Sequence, residues 1–395
     1  MRRSAAPGGL SAATTVAPWR DRWSLWRDRL LASPRFRQWA AGFPLTRWVA
    51  HRRAQSLFDL VAGFVYSQVL LACVQLRLFD HLADGPLTVS ALQPRLGLDA
   101  AATLRLLQAA QALQLVEARH GGRWGLGPLG AVMAGDRAIS AMVEHHGALY
   151  ADLADPVALL RGQARDSHLA AFWPYATTSA PGQLGDADVG AYSELMSASQ
   201  PLVAEQVLDA VDLRRFACLM DVGGGQGRFL IEAGRRAPSL ALRLLDLPAV
   251  VERAQRQPEW QALGARASVH GADFLRQPLP GGADIVSLVR VVHDHDDEAA
   301  QALLRAVHAA LPPEGRLLLA EPMADTPGAA RMGDAYFGFY LLAMRSGRPR
   351  SAAQLAAMLQ AAGFQAPHEH ATRQPLQTRV LMALKPVANV PGARA

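Results

Sequence analysis

The chain has 395 residues, half of them apolar, which is enough for one large or two ordinary domains with a buried core. Its two cysteines, Cys73 and Cys218, exclude a disulfide framework and a cysteine-rich metal site. The net charge of +6 is unevenly placed, because residues 1–53 sum to +9 and the remaining residues to −3.

The first predicted region, residues 1–55, is a basic arm rich in tryptophan. Its apolar residues repeat at the spacing of one helical face, and most nearby arginines lie off that face. The repeating residues are Trp19, Trp23, Trp26 and Leu30. Tryptophan opposite arginine is typical of a helix in a membrane interface, so we expect peripheral membrane contact. The alternatives are an arm packed on its own protein and an arm that binds nucleic acid.

Residues 1–18 of this arm are small and flexible, and they are predicted to be disordered. Arg2 and Arg3 are not followed by the apolar stretch of a secretory signal. The chain is therefore expected in the cytoplasm.

Residues 56–150 form the second predicted domain, which begins with a charge-free apolar run at residues 60–76. This run has the minimum length of a transmembrane helix, but Ser67, Gln68 and Gln75 lie within it. We therefore favour a helix buried in an interface over a helix that crosses a membrane.

A winged-helix pattern follows the apolar run. It comprises a short helix, a turn at Gly97 and a second helix at residues 99–113, and a hairpin through Gly121 and Gly122 completes it. A recognition helix needs donors for base edges and phosphates, whereas Arg105 is the one basic residue of the second helix. The pattern thus predicts a dimerisation domain, a homodimer and no nucleic-acid partner.

Residues 151–200 are predicted to be a helical and irregular connection. Prolines interrupt its segment AFWPYATTSAPGQLG, which concentrates Phe172, Trp173 and Tyr175. This segment is either a packed linker or the aromatic wall of a pocket, and both interpretations stay open.

Strands and helices alternate through residues 201–388, which predicts a doubly wound, Rossmann-like α/β domain. The predicted strands are five apolar runs, at residues 218–222, 241–247, 267–274, 283–292 and 315–322. Helices fill the intervals, notably at residues 297–311 and 351–364. Ligands of such sheets bind outside the carboxyl ends of the strands.

A glycine-rich turn, DVGGGQG, follows the first of these strands. The dinucleotide fingerprint G-x-G-x-x-G fails here, because arginine or leucine stands where its last glycine is required. What remains is Asp221, followed by Gly223 and Gly225. An acid before the glycines suits a ligand with a positive group, such as S-adenosylmethionine, whose demethylated product is S-adenosylhomocysteine.

Further cofactor residues are predicted at the ends of the next strands. Asp246 ends the second strand, where a carboxylate accepts hydrogen bonds from ribose hydroxyls. Asp273 and Phe274 end the third strand, where an acid can accept from an adenine amino group and a ring can stack on the base. Arg290, near the end of the fourth strand, is assigned to the same site.

The fourth strand runs into HDHDDE at residues 293–298. A metal site needs converging ligands, and His293 and His295 point different ways if the strand continues, so no metal is expected. The acids at residues 296–298 open the next helix, where they suit its dipole. His293 is instead predicted to be a general base for a substrate hydroxyl. Glu321, at the end of the fifth strand, is predicted to hold its tautomer and favour its cation.

The motifs DVGGGQG, LLDLPAVV, GADF, RVVHDHDDE and LLLAEP resemble, in order and spacing, those of the histidine-dependent O-methyltransferases with an N-terminal dimerisation domain. The resemblance covers roughly residues 57–385. It implies metal-free methyl transfer with His293 as base, and Asp246 and Asp273 as cofactor acids. Two departures are visible: Pro349 stands where plant relatives have a second glutamate, and His295 replaces the usual tryptophan of an H-D-W motif.

Within this family, the segments LFDLVAGFVYSQVLLACV, AFWPYA and MGDAYFGFYLLAMRSGRPRSAAQL resemble bacterial carotenoid hydroxyl methyltransferases of the spheroidene and spirilloxanthin pathways. The resemblance implies an acyclic carotenoid substrate with a tertiary hydroxyl at C1, and a location at the inner or photosynthetic membrane. Met and aromatic side chains fit a long apolar ligand, although core packing explains them as well. The candidate substrate residues are Trp173, Tyr175, Met332, Tyr336, Phe339 and Met344.

Two other functions stay open. The same fold could methylate oxygen or carbon of another large apolar substrate, such as a bacteriochlorophyll precursor or an aromatic polyketide. A winged-helix regulator that senses a ligand is the third hypothesis, and it would require salt-dependent binding to duplex DNA.

Overall fold

The N-terminal arm is helical. The computed structural model describes residues 19–164, 166–178 and 180–387, so the predicted disorder of residues 1–18 lies outside the described part. The predicted tryptophan-bearing helix is confirmed as α1 (Trp19–Ala32), which has no buried residue. It is followed by α2 (Pro34–Gly42) and by the 29-residue α3 (Arg47–Gln75).

The long helix α3 presents an apolar surface. By length and composition alone it could cross a membrane, and only 11% of its most apolar window is buried. Cys73 and Val74, near its end, are buried in the core of the following domain. Phe64, by contrast, is 70% exposed. In the chain by itself, the predicted burial of this helix therefore applies to its last turns only.

The predicted winged-helix domain is confirmed. Its helices are α4 (Leu78–Ala83), α5 (Val89–Leu96), α6 (Ala100–Ala112) and α7 (Pro128–Gly135), and its strands are β1 (Leu87–Thr88), β2 (Val116–Arg119) and β3 (Arg123–Leu126). The strands form an antiparallel sheet in the order β1-β3-β2. Gly97, in the left-handed conformation, ends α5, and the Asp99 carboxylate caps α6 by accepting from the N–H of Ala102 at 2.7 Å.

The connection between the two domains, predicted to be helical and irregular, consists mostly of helices. They are α8 (Arg137–Asp152), α9 (Pro156–Leu160), α10 (His168–Phe172), α11 (Pro174–Thr177) and α12 (Asp186–Ala210). The expected irregular structure is limited to the short stretches between α9 and α12. Because α12 is continuous, the predicted boundary between residues 200 and 201 falls inside a helix.

The C-terminal domain is built on a mostly parallel seven-stranded sheet, which agrees with the predicted α/β class. The strands are β4 (Cys218–Val222), β5 (Ala241–Asp246), β6 (Ala267–Gly271), β7 (Ile285–Val289), β8 (Arg316–Glu321), β9 (Gln365–His370) and β10 (Arg379–Leu384). Their order is β6-β5-β4-β7-β8-β10-β9, with β10 antiparallel to both neighbours. The helices are α13 (Arg228–Arg236), α14 (Pro248–Gln255), α15 (Pro258–Gln261), α16 (Asp297–Ala310), α17 (Phe337–Met344) and α18 (Ala352–Ala361).

All five predicted strands exist, and the third and fourth are shorter than expected. Strand β6 ends at Gly271 instead of residue 274, so Asp273 and Phe274 lie just beyond it. Strand β7 ends at Val289 instead of residue 292, because Arg290 adopts a left-handed backbone with φ of 59°. Residues Val292–Asp294 then form a turn of 3₁₀ helix. His293 thus lies on a tight turn beyond the strand, whereas the backbone of His295 is extended again. The strand does not continue to His295, so the condition on which the two histidines were expected to point different ways is not met.

Candidate active site

The glycine turn after β4 brings backbone close to its neighbours. Gly223 has φ of 69°, and a Cβ there would come within 2.8 Å of the Val291 side chain. The N–H of Gly225 donates to Asp246 Oδ2 at 2.7 Å. The turn is therefore tied to the end of β5 and leaves space above it for a ligand.

Asp246 is held by two backbone donors at the edge of this space. Its Oδ1 accepts from the N–H of Leu247 at 2.7 Å, and its Oδ2 accepts from Gly225. Burial raises its pKa to about 6. Each carboxylate oxygen has two lone pairs, so Asp246 can still accept from ligand hydroxyls.

Asp221 lies under the glycine turn and does not line the space above it. The side chain is fully buried, and its Oδ1 accepts from the Ser287 hydroxyl at 2.6 Å. Its Oδ2 lies beneath Gly224, where a Cβ would approach it to 2.5 Å. Burial raises its pKa to about 7. Asp221 belongs to β4 itself and its Oδ1 faces Ser287 of β7, so its predicted contact with a cofactor stays a prediction.

A cavity opens where β4, β5 and β7 end. It is lined by eight of the predicted residues: Trp173, Tyr175, Gly223, Gly225, Asp246, Asp273, Phe274 and Arg290. It is also lined by residues that were not predicted, among them Tyr192, Met196, Gln226, Asp294 and His295. The Phe274 and His295 rings meet edge to face at 5.9 Å between centroids. These two rings give the cavity an aromatic side.

The Arg290 guanidinium is directed toward helix α12. It donates to Ser199 Oγ at 2.8 Å and lies 3.2 Å from the sulfur of Met196, both on α12. Burial lowers its pKa, and Asp294 acts in the opposite direction. Arg290 therefore lines the cavity, and its side-chain contacts with α12 hold its own left-handed backbone in place after β7.

His293 is buried between two carboxylates. Its Nε2 lies 3.1 Å from Asp294 Oδ1, and its Nδ1 lies 3.7 Å from Glu321 Oε2. Burial alone would lower its pKa, but Asp294 and Glu321 outweigh burial and raise it. The arrangement stabilises an imidazolium, which is what a base becomes after it accepts a proton.

Glu321 contacts the backbone of His293 more closely than its ring. Its Oε2 accepts from the His293 N–H at 3.0 Å, whereas the 3.7 Å to the imidazole exceeds a hydrogen bond. Its Oε1 is buried with no partner among the described residues, and burial raises its pKa. The distance from Glu321 to the imidazole, 3.7 Å, is thus longer than the 3.1 Å from Asp294 to the imidazole.

Asp294 was not predicted to have a role. Besides its contact to His293, its Oδ2 accepts from the Tyr175 hydroxyl at 3.0 Å. Burial alone would raise its pKa, but His293 and Tyr175 lower it and keep the carboxylate ionised. Its place within HDHDDE was the available signal, although the contact to Tyr175 spans 119 residues of sequence.

The aromatic candidates form a hydrogen-bonded cluster against α8. The Trp173 indole N–H donates to the Tyr340 hydroxyl at 2.9 Å, and that hydroxyl lies 2.7 Å from His145 Nε2. Tyr336 makes the equivalent 2.7 Å contact with His146. Burial lowers the pKa of His145 to about 4, with help from its neighbour, so the cluster is neutral. This cluster was missed because α8 lies far away in sequence.

The remaining candidates differ in position. Met344 is buried in a core cluster with Trp173 and Tyr340, as the core-packing interpretation requires. Met332 and Phe339 are half-buried. The Phe337 ring lies 5.7 Å from the His293 imidazole, which makes it the residue of this segment in ring contact with the base. Met332 and Tyr336 belong to a π-helical turn, Arg331–Tyr336, a feature frequent at functional sites.

Within residues 19–164, 166–178 and 180–387, no group of three or more His, Cys, Asp or Glu side chains is arranged to hold a metal ion. His293 and Asp294 belong to one proton-accepting arrangement, and His295 faces Phe274 instead.

Known proteins are similar to this chain in both fold and sequence. Residues 58–136 match the O-methyltransferase dimerisation domain, and residues 150–365 match the O-methyltransferase domain. The chain is 46% identical to demethylspheroidene O-methyltransferase of Cereibacter sphaeroides over 85% of this chain and 88% of that protein. It is 32% identical to acetylserotonin O-methyltransferase of Mus musculus over 79% and 84%.

Among solved structures, human N-acetylserotonin methyltransferase in complex with SAM superimposes with a TM-score of 0.69 at 25% identity. That match covers 85% of this chain and 98% of the human one. These matches agree with the glycine turn at the cavity and with the buried histidine between carboxylates. The chain belongs to the O-methyltransferase family, and it carries that family's dimerisation domain.

Proposed function

We propose that this enzyme transfers a methyl group from S-adenosylmethionine to the tertiary C1 hydroxyl of an acyclic carotenoid. The observation that carries this proposal is the 46% identity, over 85% of the chain, with a protein named demethylspheroidene O-methyltransferase. A second relative of that name, from Rhodobacter capsulatus, is 42% identical over 90% of the chain. The buried base described above supports an oxygen acceptor.

The cavity residues fit the methyl donor. Asp246 can accept from ribose hydroxyls, and Phe274 can cover the adenine, with Asp273 beside it. The glycine turn leaves room for the amino-acid part of the molecule, and the Asp294 carboxylate on the cavity wall is a counter-charge for a cationic ligand. When bound, S-adenosylmethionine supplies a methyl group on a positively charged sulfur, a strong leaving group.

His293 then has one task, to take the proton of the substrate hydroxyl. A tertiary alcohol is a very weak acid, so the proton moves to the imidazole as the new C–O bond forms, and not before. Asp294 stays ionised and stabilises the imidazolium at 3.1 Å. Positioning of the hydroxyl by the pocket supplies the rest of the rate, as in other reactions where two reactants are aligned.

The walls near His293 support an apolar acceptor. Phe337 lies on one side of the imidazole, and Tyr336 and Tyr340 continue the aromatic surface. Their hydroxyls are already satisfied by His146 and His145, so the surface offers rings with few free polar groups. Such a wall suits a hydrocarbon chain with a single hydroxyl at its end.

The decisive experiment is methyl transfer from labelled S-adenosylmethionine to a panel of pigments. The panel contains acyclic carotenoids with and without a tertiary C1 hydroxyl, a bacteriochlorophyll precursor and an aromatic polyketide. We expect label in the hydroxylated carotenoids alone, as a methyl ether. Transfer to another member of the panel, with none to the carotenoids, would replace the substrate and keep the methyltransferase assignment. No transfer to any acceptor, together with duplex DNA binding, would favour a regulator.

We further propose that the N-terminal arm rests on an anionic membrane surface, which would place the enzyme at the cytoplasmic face of the membrane that holds its substrate. Trp19 and Trp26 are exposed, at 73% and 59%, as are the Trp39 and Trp48 rings. Residues 1–53 carry a net charge of +9. Exposed tryptophan beside arginine supports interfacial binding, and each arginine near an anionic surface contributes about 1 kcal/mol.

Co-sedimentation with anionic and neutral vesicles tests the arm. Replacement of Trp19, Trp23 and Trp26 by alanine should reduce binding to anionic vesicles and leave methyl transfer to detergent-dissolved substrate unchanged. Replacement of Leu376 by alanine is the control, because Leu376 is an exposed apolar residue of the C-terminal domain, outside the arm. Equal vesicle binding by all three proteins would refute the membrane role, and loss of dimerisation in the tryptophan variant would assign the arm to the subunit interface.

The homodimer should cover the apolar face of α3. This face lies at the start of the dimerisation match, and its exposed residues are Leu57, Phe58, Leu60, Val61 and Phe64. An exposed apolar patch of this kind marks a protein interface. We accordingly divide the chain into the arm (1–55), the dimerisation domain (56–150), the helical connection (151–200) and the methyltransferase domain (201–388). Each boundary falls inside a helix, namely α3, α8 and α12.

A further inference from the structure

Residues 292–295, here called the catalytic turn, hold the base His293. Their four consecutive backbone carbonyls accept hydrogen bonds from one short segment, residues 346–350, here called the clamp segment. The bonds run from Ser346 Oγ to Asp294 O at 2.6 Å, from Arg348 N to His293 O at 2.9 Å, and from the Arg350 guanidinium to Val292 O at 2.9 Å and to His295 O at 2.7 Å. A single turn of 3₁₀ helix satisfies few of its own carbonyls, so it needs outside donors to keep one geometry. The clamp segment supplies them on both sides of the base.

Arg350 makes the central contribution. It is 0% exposed, although a guanidinium is costly to bury without partners. Its Nε and Nη2 donate to Asp297 Oδ1, at 2.9 and 2.7 Å, and its other bonds go to the catalytic turn. One rigid, planar cation therefore joins the carbonyls that flank His293 to the first residue of α16.

Gly347 allows the clamp segment to approach this closely. Its φ is 78°, and a Cβ at this position would lie 2.0 Å from His293 O. Its N–H donates to Asp296 Oδ1 at 3.0 Å. Any side chain at residue 347 would push the two backbones apart.

The clamp segment also connects the base to the aromatic wall. Helix α17 ends at Met344, two residues before Ser346, and the same helix carries Phe337 beside the His293 ring. A shift of α17 when substrate binds would therefore reach the catalytic turn through the clamp segment.

We propose that the clamp segment positions His293 for proton transfer, with Arg350 as its principal positioning residue. The proposal rests on the proposed function, in which His293 is the base. Arg350 does not line the cofactor cavity. Its contribution should therefore appear in the reaction step and not in cofactor binding.

The test compares Arg350→Gln and Arg350→Lys with a matched control, Arg266→Gln. Arg266 also donates to backbone carbonyls, those of Gly234, Ala237 and Leu240, but at the far end of the sheet. Each variant is measured for thermal stability, S-adenosylmethionine binding, kcat and KM. The imidazole NMR signals of His293, assigned by comparison with a His293→Gln spectrum, report the turn without any substrate.

We expect Arg350→Gln to lower kcat about 10- to 100-fold, because small displacements of a catalytic group have effects of that size. KM and cofactor binding should stay near the original values, and the His293 signal should move. Arg350→Lys should recover part of kcat, since lysine can reach one carbonyl but not both. Arg266→Gln should lose stability alone. If Arg350→Gln does not fold, Ser346→Ala removes one of the four bonds and should lower kcat in the same direction.

An equal loss of kcat in the Arg350 and Arg266 variants would overturn the proposal, as would an unmoved His293 signal in Arg350→Gln. If the unmodified enzyme methylates no carotenoid, the proposed function fails. The displacement of the His293 signal would still decide whether the clamp segment shapes the turn.

Discussion

Replacement of His293 separates proton transfer from alignment. A positioned general base contributes about 10²–10⁴-fold, or ~3–5 kcal/mol of the barrier. The contacts of the imidazole, 3.1 Å to Asp294 and 3.7 Å to Glu321, are those of a group that is stabilised when protonated. We therefore expect His293→Ala and His293→Gln to lower kcat by that order.

The two variants differ in what they leave behind. Alanine removes the donor to Asp294 and leaves one oxygen of this partly buried carboxylate without that partner, which costs at most about 1–3 kcal/mol of stability. Glutamine keeps an N–H donor at nearly the same reach, but its amide cannot accept a proton at neutral pH. If loss of the base is the cause, His293→Gln should be almost as slow as His293→Ala while it melts closer to the unmodified protein.

The assay is single-turnover methyl transfer with saturating S-adenosylmethionine and hydroxylated carotenoid, beside a separate cofactor titration. Cofactor binding should be unchanged, because His293 does not line the cavity, and neither chelator nor added Mg²⁺ should alter the rate. Unchanged turnover in His293→Gln would refute the base and leave alignment as the whole of catalysis. Loss of activity on chelation would instead restore a metal interpretation of HDHDDE.

Three further outcomes are expected. Asp294→Asn removes an acid that raises the pKa of His293, so the acidic limb of the profile of kcat against pH should move to lower pH while kcat falls. Stopped assays across pH measure this limb. A limb that stays in place would count against the pairing of Asp294 with His293. Asp246→Ala should weaken S-adenosylmethionine binding by about 1–3 kcal/mol in calorimetry, and binding to the unmodified enzyme should weaken as pH falls below about 6, where Asp246 becomes protonated. Phe64→Asp should convert the dimer to monomers in analytical ultracentrifugation, and an intact dimer would move the interface elsewhere.

The parallel part of the sheet could be predicted because its strands are buried on both faces. Strands β4 and β7 consist of buried residues throughout, and such strands appear in sequence as continuous apolar runs. Strand β9, QAPHEH, has no buried residue and contains proline, so neither burial nor alternation marks it. The apolar β10 pairs with β8 and β9 in antiparallel order, a partner choice set by the fold and not by its own residues.

The site was predictable where a residue follows a strand and not where it depends on distant segments. Asp246 and His293 lie next to strand ends, and the structure brings them to one edge of the sheet. Asp221 also lies near a strand end, but the alternation of side chains along β4 turns it toward Ser287 and away from the cavity. The contacts of Tyr175 and Arg350 with the catalytic turn join segments that only the folded chain brings together.

The charges around His293 explain why the turn must be rigid. An imidazole that takes up a proton in a buried site becomes a cation, which is costly unless a carboxylate is already in place. Asp294 is such a carboxylate, but it is the next residue in the chain, so both groups move whenever the turn moves. Hydrogen-bond donors from outside the turn can hold both groups in place. Tyr175 donates to the Asp294 side chain and Arg350 donates to the backbone of the turn, each from another part of the fold. A turn that could adapt would hold neither the base nor its counter-ion at the distance that proton transfer needs.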